Sequence, residues 1–100
     1  MLIDNLYKVE FKDEKKAIVK LADKNHSVFK AHFPTNPILP GFVHFDIVAI
    51  VFDLEITSIK KAKFLKTVEP NQTLVYERDN NKFKVMREDE EIASFSLWLV

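Results

Sequence analysis

Phe29 to Leu54 reads FKAHFPTNPILPGFVHFDIVAIVFDL, and its two halves obey different rules. The first half carries Pro34, Pro37 and Pro40 and ends on Gly41, the only glycine of the chain. The second half, Phe42 to Leu54, is hydrophobic at ten of thirteen positions, the exceptions being His44, Asp46 and Asp53. A helix that is apolar nearly all round is buried on most sides. Its longest unbroken apolar run, Ile47 to Phe52, is six residues, far short of the ~20 that a membrane span requires. The stretch therefore predicts a stiff loop feeding a helix that the rest of the chain must wrap.

The loop dictates how that helix begins. Proline fixes its own φ and drives the residue before it out of the α region, so Phe33, Asn36 and Leu39 are expected to be extended. The helix can start only after Pro40. Leu39, Pro40 and Gly41 occupy the entry, so no Ser, Thr, Asp or Asn is available as a cap. The first-turn N–H groups are then expected to lack a side-chain acceptor while sitting at the positive end of the macrodipole. Gly41 has no side chain, so a ligand oxygen could approach its backbone closely. A packing loop with water on those N–H groups is the plainer alternative.

Outward from this stretch the pattern is that of strands. Leu6 to Lys12 alternates, with Tyr7, Val9 and Phe11 on one face, and Ala17 to Ala22 follows after an Asp13-Glu14-Lys15 turn. Residues 23–40 form the loop, with a short helical turn around Ser27 to Lys30, and the helix ends near Glu55. Ile56 to Thr67, Thr73 to Arg78, Phe83 to Arg87 and Ile92 to Val100 read as four more strands. Glu69-Pro70-Asn71-Gln72, Asp79-Asn80-Asn81-Lys82 and Glu88 to Glu90 are the turns between them. Two strands, one buried helix and four strands make an α+β order, and an antiparallel sheet curled round the helix is the simplest way to bury it.

Composition narrows the function classes. One hundred residues suit one domain with a modest core. Fifteen basic residues balance fifteen acidic ones, so net charge suggests neither a nucleic acid nor an anionic membrane as partner. The absence of cysteine excludes disulfides, thiol catalysis and thiolate metal sites. The N-terminus lacks a basic segment followed by an apolar one, so no signal peptide is expected and the cytoplasm is the default location. His44 and Asp46 lie two apart on a helix and face different ways, and no ligand spacing of the H-E-x-x-H kind occurs, so neither a metal nor another cofactor is expected.

The loop and helix carry a resemblance. His32-Phe33-Pro34-x-x-Pro37-Ile38-x-Pro40-Gly41, with Asp46 fourteen residues after the histidine, resembles the active-site motif of the β-hydroxyacyl-acyl-carrier-protein dehydratases. Ala62-Lys63-Phe64-x-Lys66-x-Val68-x-Pro70 resembles, more weakly, the strand and turn that follow that family's helix. The resemblance implies a hot-dog fold, about six antiparallel strands round one central helix. It also implies elimination of water from a (3R)-3-hydroxyacyl thioester of acyl carrier protein or coenzyme A, and a homodimer whose subunits share each site.

That elimination needs a base for the α proton, an acid for the leaving hydroxyl and a donor for the charge developing on the thioester oxygen. His32 suits the base, since an ordinary histidine titrates near ~6.5. Asp46 suits the acid if kept protonated, which an apolar helix surface favours and the helix N-terminus opposes. The Gly41 N–H suits the oxyanion. Phe33, Pro40 and Phe42 border these groups in the motif and are assigned to substrate binding. His26 and His44 are read as structural or rim residues.

Three departures from the family pattern stand out. Ala31 and Thr35 replace the usual glycines around the histidine, Ile50 replaces a glutamine that hydrogen-bonds the acid, and the lead-in before the first strand is shorter. Loss of the glutamine leaves open a subunit that binds acyl chains, or joins a heterodimer, without turnover. A hot-dog thioesterase is a further alternative, although it would not need the His32 to Gly41 pattern. Lys60, Lys61, Lys63 and Lys66 read first as a solvated edge that discourages aggregation, and second as a landing patch for an acidic carrier protein.

Overall fold

The computed structural model describes residues 3–31 and 35–100. Its elements are β1 (Tyr7–Lys12), β2 (Lys16–Leu21), α1 (Ser27–Ala31), α2 (Val43–Val51), β3 (Ile56–Phe64), β4 (Thr73–Asp79), β5 (Lys82–Arg87) and β6 (Glu90–Leu99). The strands form one antiparallel sheet in the order β1-β2-β4-β5-β6-β3, so β1 and β3 are its edges. The α+β hot-dog architecture expected from the sequence is the one observed.

Alternation in the strands decides what the sheet buries. Leu74 and Tyr76 of β4, Phe83 and Val85 of β5, and Ala93, Phe95 and Leu97 of β6 all point into the core. Val43, Ile47, Val48 and Val51 of α2 pack against that surface. Phe45 and Phe52, seven residues apart on the helix, reach the sheet as rings: Phe45 on Phe95 at 5.0 Å and Phe52 on Phe83 at 6.0 Å. Arg78 holds its guanidinium 5.9 Å from both Phe52 and Phe83 and closes that end.

Two segments end three or more residues before the expected boundary, each for a hydrogen-bonding reason. The helix stops at Val51 rather than near Glu55 because Asp53 takes a left-handed conformation, φ 54°. The Leu54 N–H then donates to the Ala49 carbonyl and the Asp53 N–H to that of Ile50, a Schellman ending made without glycine. β3 stops at Phe64 rather than Thr67 because the N–H groups of Leu65 and Lys66 both converge on the Ile92 carbonyl. Beyond it, Arg87 donates to the Thr67 carbonyl and to Gln72 Oε1, both at 2.9 Å, and so pins the segment leading to β4.

The helix is also less completely wrapped than its composition suggests. Phe42, Asp46 and Ile50, spaced four apart, form one exposed stripe, with Phe42 51% and Ile50 46% accessible. Val9 and Phe11 of β1 are likewise exposed. One chain covers its central helix on one side only.

α1 is fastened by a histidine. Nδ1 of His26 accepts the Val28 N–H at 3.1 Å, and Nε2 lies 2.7 Å from the Asp4 carbonyl. The first bond requires Nδ1 to be unprotonated, so Nε2 carries the hydrogen that it donates to Asp4. The ring thus caps α1 and ties it to the N-terminal segment. Replacing His26 by Ala should destabilise the protein by about 0.5–2 kcal/mol, the cost of a lost cap. Urea unfolding reads the total, and faster amide exchange at Val28 would localise it.

Candidate active site

The entry to α2 shows how the chain compensates for its missing cap. Phe42 occupies the N-cap position with helical backbone angles and no side-chain capping bond, as the sequence predicts. The first-turn N–H groups lack a side-chain acceptor, as expected, yet are not left unsatisfied. Val43, His44 and Phe45 donate to the carbonyls of Pro40, Gly41 and Phe42 at 3.1–3.2 Å, a tight turn that satisfies them locally. The Gly41 N–H, one step earlier, makes no hydrogen bond among the described residues. It remains available to an incoming oxygen.

Gly41 has a second reason to be glycine. Its φ is not positive, so backbone strain does not demand it. A Cβ at this position would meet three ring atoms of Phe64 at 3.1–3.2 Å. The end of β3 lays an aromatic ring where a side chain would be. Gly41→Ala should therefore cost less than the ~1–3 kcal/mol of core overpacking, because the half-exposed Phe64 ring has to give by only a few tenths of an ångström. That cost should fall away in a Phe64→Ala background, a coupling that a double-mutant cycle measures directly.

The same ring reaches His44, a polar side chain buried beside the Tyr76 hydroxyl. Phe64 stacks on His44 with centroids 6.3 Å apart, and His44 is 2% exposed. Nδ1 of His44 lies 2.7 Å from the hydroxyl of Tyr76, itself fully buried on β4. Burial pushes the His44 imidazole down to about 4, so it is neutral at pH 7. Burial, reinforced by Tyr7, raises the Tyr76 hydroxyl well above its ordinary range. The pair is a neutral hydrogen bond inside the core, the structural role expected for His44. The sequence signal for it is a lone polar residue on an otherwise apolar stripe.

Asp46 lies in the first turns of α2, on the exposed stripe between Phe42 and Ile50. Its carboxylate forms no hydrogen bond or ion pair among the described residues. The desolvating surroundings read from helix composition are not supplied by its own chain, because the stripe faces outward. Pro40 is half-buried and Phe42 exposed at the same end of the helix, alongside Gly41. His32 and Phe33, with Pro34, lie outside the described residues. Gly41 and Asp46 thus lie towards the same end of α2, five residues apart in sequence. Among the described residues no cluster of His, Cys, Asp or Glu could hold a metal ion, and no helix is long and apolar enough to cross a membrane.

Residues 9–96 match the family model of ApeI-like proteins, described as ApeI dehydratase. The chain belongs to this dehydratase family. A 3-hydroxyacyl-acyl-carrier-protein dehydratase FabZ from Thermoanaerobacter is 32% identical over 77% of this chain and 63% of the relative. The bifunctional enzyme LpxC/FabZ from Chlorobaculum tepidum is 37% identical over 77% of this chain and 19% of its own length. The chain thus spans somewhat under two thirds of the FabZ relative that it matches.

Two solved structures bear on the ApeI-like fold. The dehydratase heterocomplex ApeI:P from Xenorhabdus doucetiae superposes with a TM-score of 0.68 at 23% identity, covering 92% of this chain and 93% of that one. The PaaI protein of the E. coli phenylacetic acid degradation operon gives 0.61 at 12% identity, covering 96% and 84%. At such identities these likenesses establish the fold alone.

Proposed function

We propose that this ApeI-like chain is a hydro-lyase that removes water from a (3R)-3-hydroxyacyl thioester to give the trans-2-enoyl thioester. The observation that carries the reading is the conjunction at the entry to α2. A Gly41 N–H with no hydrogen bond among the described residues and the Asp46 carboxylate lie towards the same end of a helix, within a sequence motif and a family described as ApeI dehydratase. The FabZ relatives support an acyl-carrier-protein thioester as substrate, with a coenzyme A thioester chemically equivalent at the reacting carbons.

The roles follow from the bonds that change. The His32 imidazole removes the proton from C2 of the acyl chain. Electron density moves towards the thioester oxygen, where the Gly41 N–H meets the developing charge. The C3–O bond then breaks as protonated Asp46 delivers its proton to the leaving hydroxyl, and water departs. The proton gained by His32 and the one lost by Asp46 balance, and addition of water to the enoyl thioester is the reverse. Phe33, Pro40 and Phe42 line the approach of the acyl chain.

The exposed stripe Phe42–Asp46–Ile50 supports completion of the site by a second subunit joined along the free edge of β3. Cover from that subunit would shield Asp46 from bulk water. The sequence reading expects the second subunit to be another copy, with His32 of one meeting Asp46 of the other. The heterocomplex named for the Xenorhabdus neighbour supports two-subunit assembly more generally.

One observation favours a second reading. Ile50 leaves Asp46 without a side-chain partner on its own helix, which suits an acyl-binding subunit without turnover. The deciding experiment incubates purified protein with short and medium 3-hydroxyacyl and 2-enoyl thioesters. Reversible hydration is the expected result. Binding without turnover supports the second reading, and release of free thiol would replace both with a thioesterase.

A further inference from the structure

Gly41 stands between two peptide planes, and the first turn of α2 holds both. The Pro40 carbonyl accepts the Val43 N–H and the Gly41 carbonyl accepts the His44 N–H, each at 3.1 Å. In a trans peptide the carbonyl and the N–H point opposite ways. With the Pro40 carbonyl turned into the helix, the Gly41 N–H of the same plane is turned away from it. Glycine itself resists rotation of its backbone only weakly. The direction of this N–H is therefore as firm as its two holders, Val43 and His44.

Those holders belong to a helix end without a side-chain cap, and helix ends are where fraying starts. His44 fastens this one. Its imidazole, buried to 2% exposure, crosses to β4, where Nδ1 lies 2.7 Å from the Tyr76 hydroxyl. The Phe64 ring stacks on it, and three atoms of that ring lie 3.1–3.2 Å from where a Cβ on Gly41 would be. Burial alone would be met by an aliphatic side chain at position 44, as it is at Val43, Ile47 and Val48. A hydrogen bond adds direction to volume. It holds residue 44 against the sheet in one orientation, and with it the N–H that grips the Gly41 carbonyl.

We infer that the buried His44–Tyr76 pair positions the Gly41 N–H towards the thioester oxygen. The two side chains act through the first turn of α2, as positioning residues for the donor. The inference rests on the role proposed above for Gly41. It adds the pair that fixes the donor's direction, the second member lying 32 residues further along the chain.

The test reads Gly41 directly. It is the only glycine of the chain, so protein labelled with nitrogen-15 glycine shows one labelled amide. Butyryl-pantetheine, a saturated thioester with no hydroxyl to lose, should move that resonance on binding the wild type. The variant His44→Leu/Tyr76→Phe replaces both partners by apolar groups and leaves neither unpaired in the core. It should unfold at the wild-type urea midpoint yet show a broadened or multiple Gly41 resonance. Its kcat for hydration of a 2-enoyl thioester should fall at least about tenfold with KM within about twofold, the pattern of a contact that strengthens in the transition state. Tyr76→Phe alone, which removes one oxygen atom, should give the same two changes and replaces the double variant if that does not fold. Wild-type kcat in the folded variant, or one sharp Gly41 resonance at the wild-type position, overturns the inference and leaves the pair a core hydrogen bond. A wild-type resonance unmoved by saturating butyryl-pantetheine overturns the donor role of Gly41 itself, and the inference with it.

Discussion

Asp46→Asn is expected to slow interconversion of 3-hydroxyacyl and 2-enoyl thioesters by at least ~100-fold, the lower end for loss of a positioned general acid. The substitution keeps the shape of the side chain and removes its transferable proton. Because Asp46 is exposed and its carboxylate makes no hydrogen bond among the described residues, the fold has little to lose. Unfolding midpoints should match the wild type within about 0.5 kcal/mol, the usual range for a surface change. His32→Ala should slow the same reaction comparably, since the proton at C2 then has no base. Turnover within about tenfold of wild type, roughly 1.4 kcal/mol of barrier, would remove the substituted residue from the mechanism.

The second large effect is on stability in acid. His44 is held near 4 by burial, whereas an unfolded histidine titrates near ~6.5. Below the unfolded value the unfolded chain takes up a proton that the folded chain refuses. Stability therefore falls as pH drops from about 6.5, and the loss is complete near the folded value of about 4. Across that window His44 alone should remove about 3 kcal/mol. Urea unfolding of the wild type and of His44→Gln at a series of pH values isolates this contribution from that of the carboxylates. The glutamine variant should lose the difference in slope even if its stability at pH 7 is lower. Parallel profiles for the two proteins would mean that His44 is protonated in the folded state.

The contrast between these two side chains, two residues apart, also marks where sequence reading stops. The helix was legible because three prolines fix where it can begin and a dense apolar run demands cover. The strands were legible from period-two alternation, and Asn71 and Asn80 in their turns do adopt positive φ. What a run of apolar residues cannot say is which face its own chain covers. His44 turned inward to Tyr76, while Asp46 turned out beside Phe42 and Ile50. Composition treats both as polar exceptions on the same helix. Burial depends on the position of the sheet, a tertiary fact absent from local pattern.

Gly41 shows a related limit. Its place in the motif was visible, and so was the freedom of its backbone to meet a ligand. Its contact with Phe64 joins residues 23 positions apart and becomes visible only once β3 has folded back past α2. The first-turn N–H groups lack a side-chain acceptor, as the sequence implies, but where they bond instead is decided by local backbone geometry. Absence of a capping side chain does not leave donors free when the preceding carbonyls can close a tighter turn.

The scarcity of glycine leaves this fold with an engineering reserve. Asn5, Asp53, Asn71, Asn80 and Glu88 all hold positive φ, while the single glycine does not. A left-handed conformation costs an ordinary L-residue roughly 1–2 kcal/mol, least for Asn and Asp. Glu88, in the β5–β6 turn, and Asp53, at the end of α2, lie apart from the motif and are both solvent-exposed. Glycine at those two turns would relieve conformational strain without touching the reacting groups. A protein engineer seeking a hardier scaffold could therefore begin at its corners and leave its core untouched.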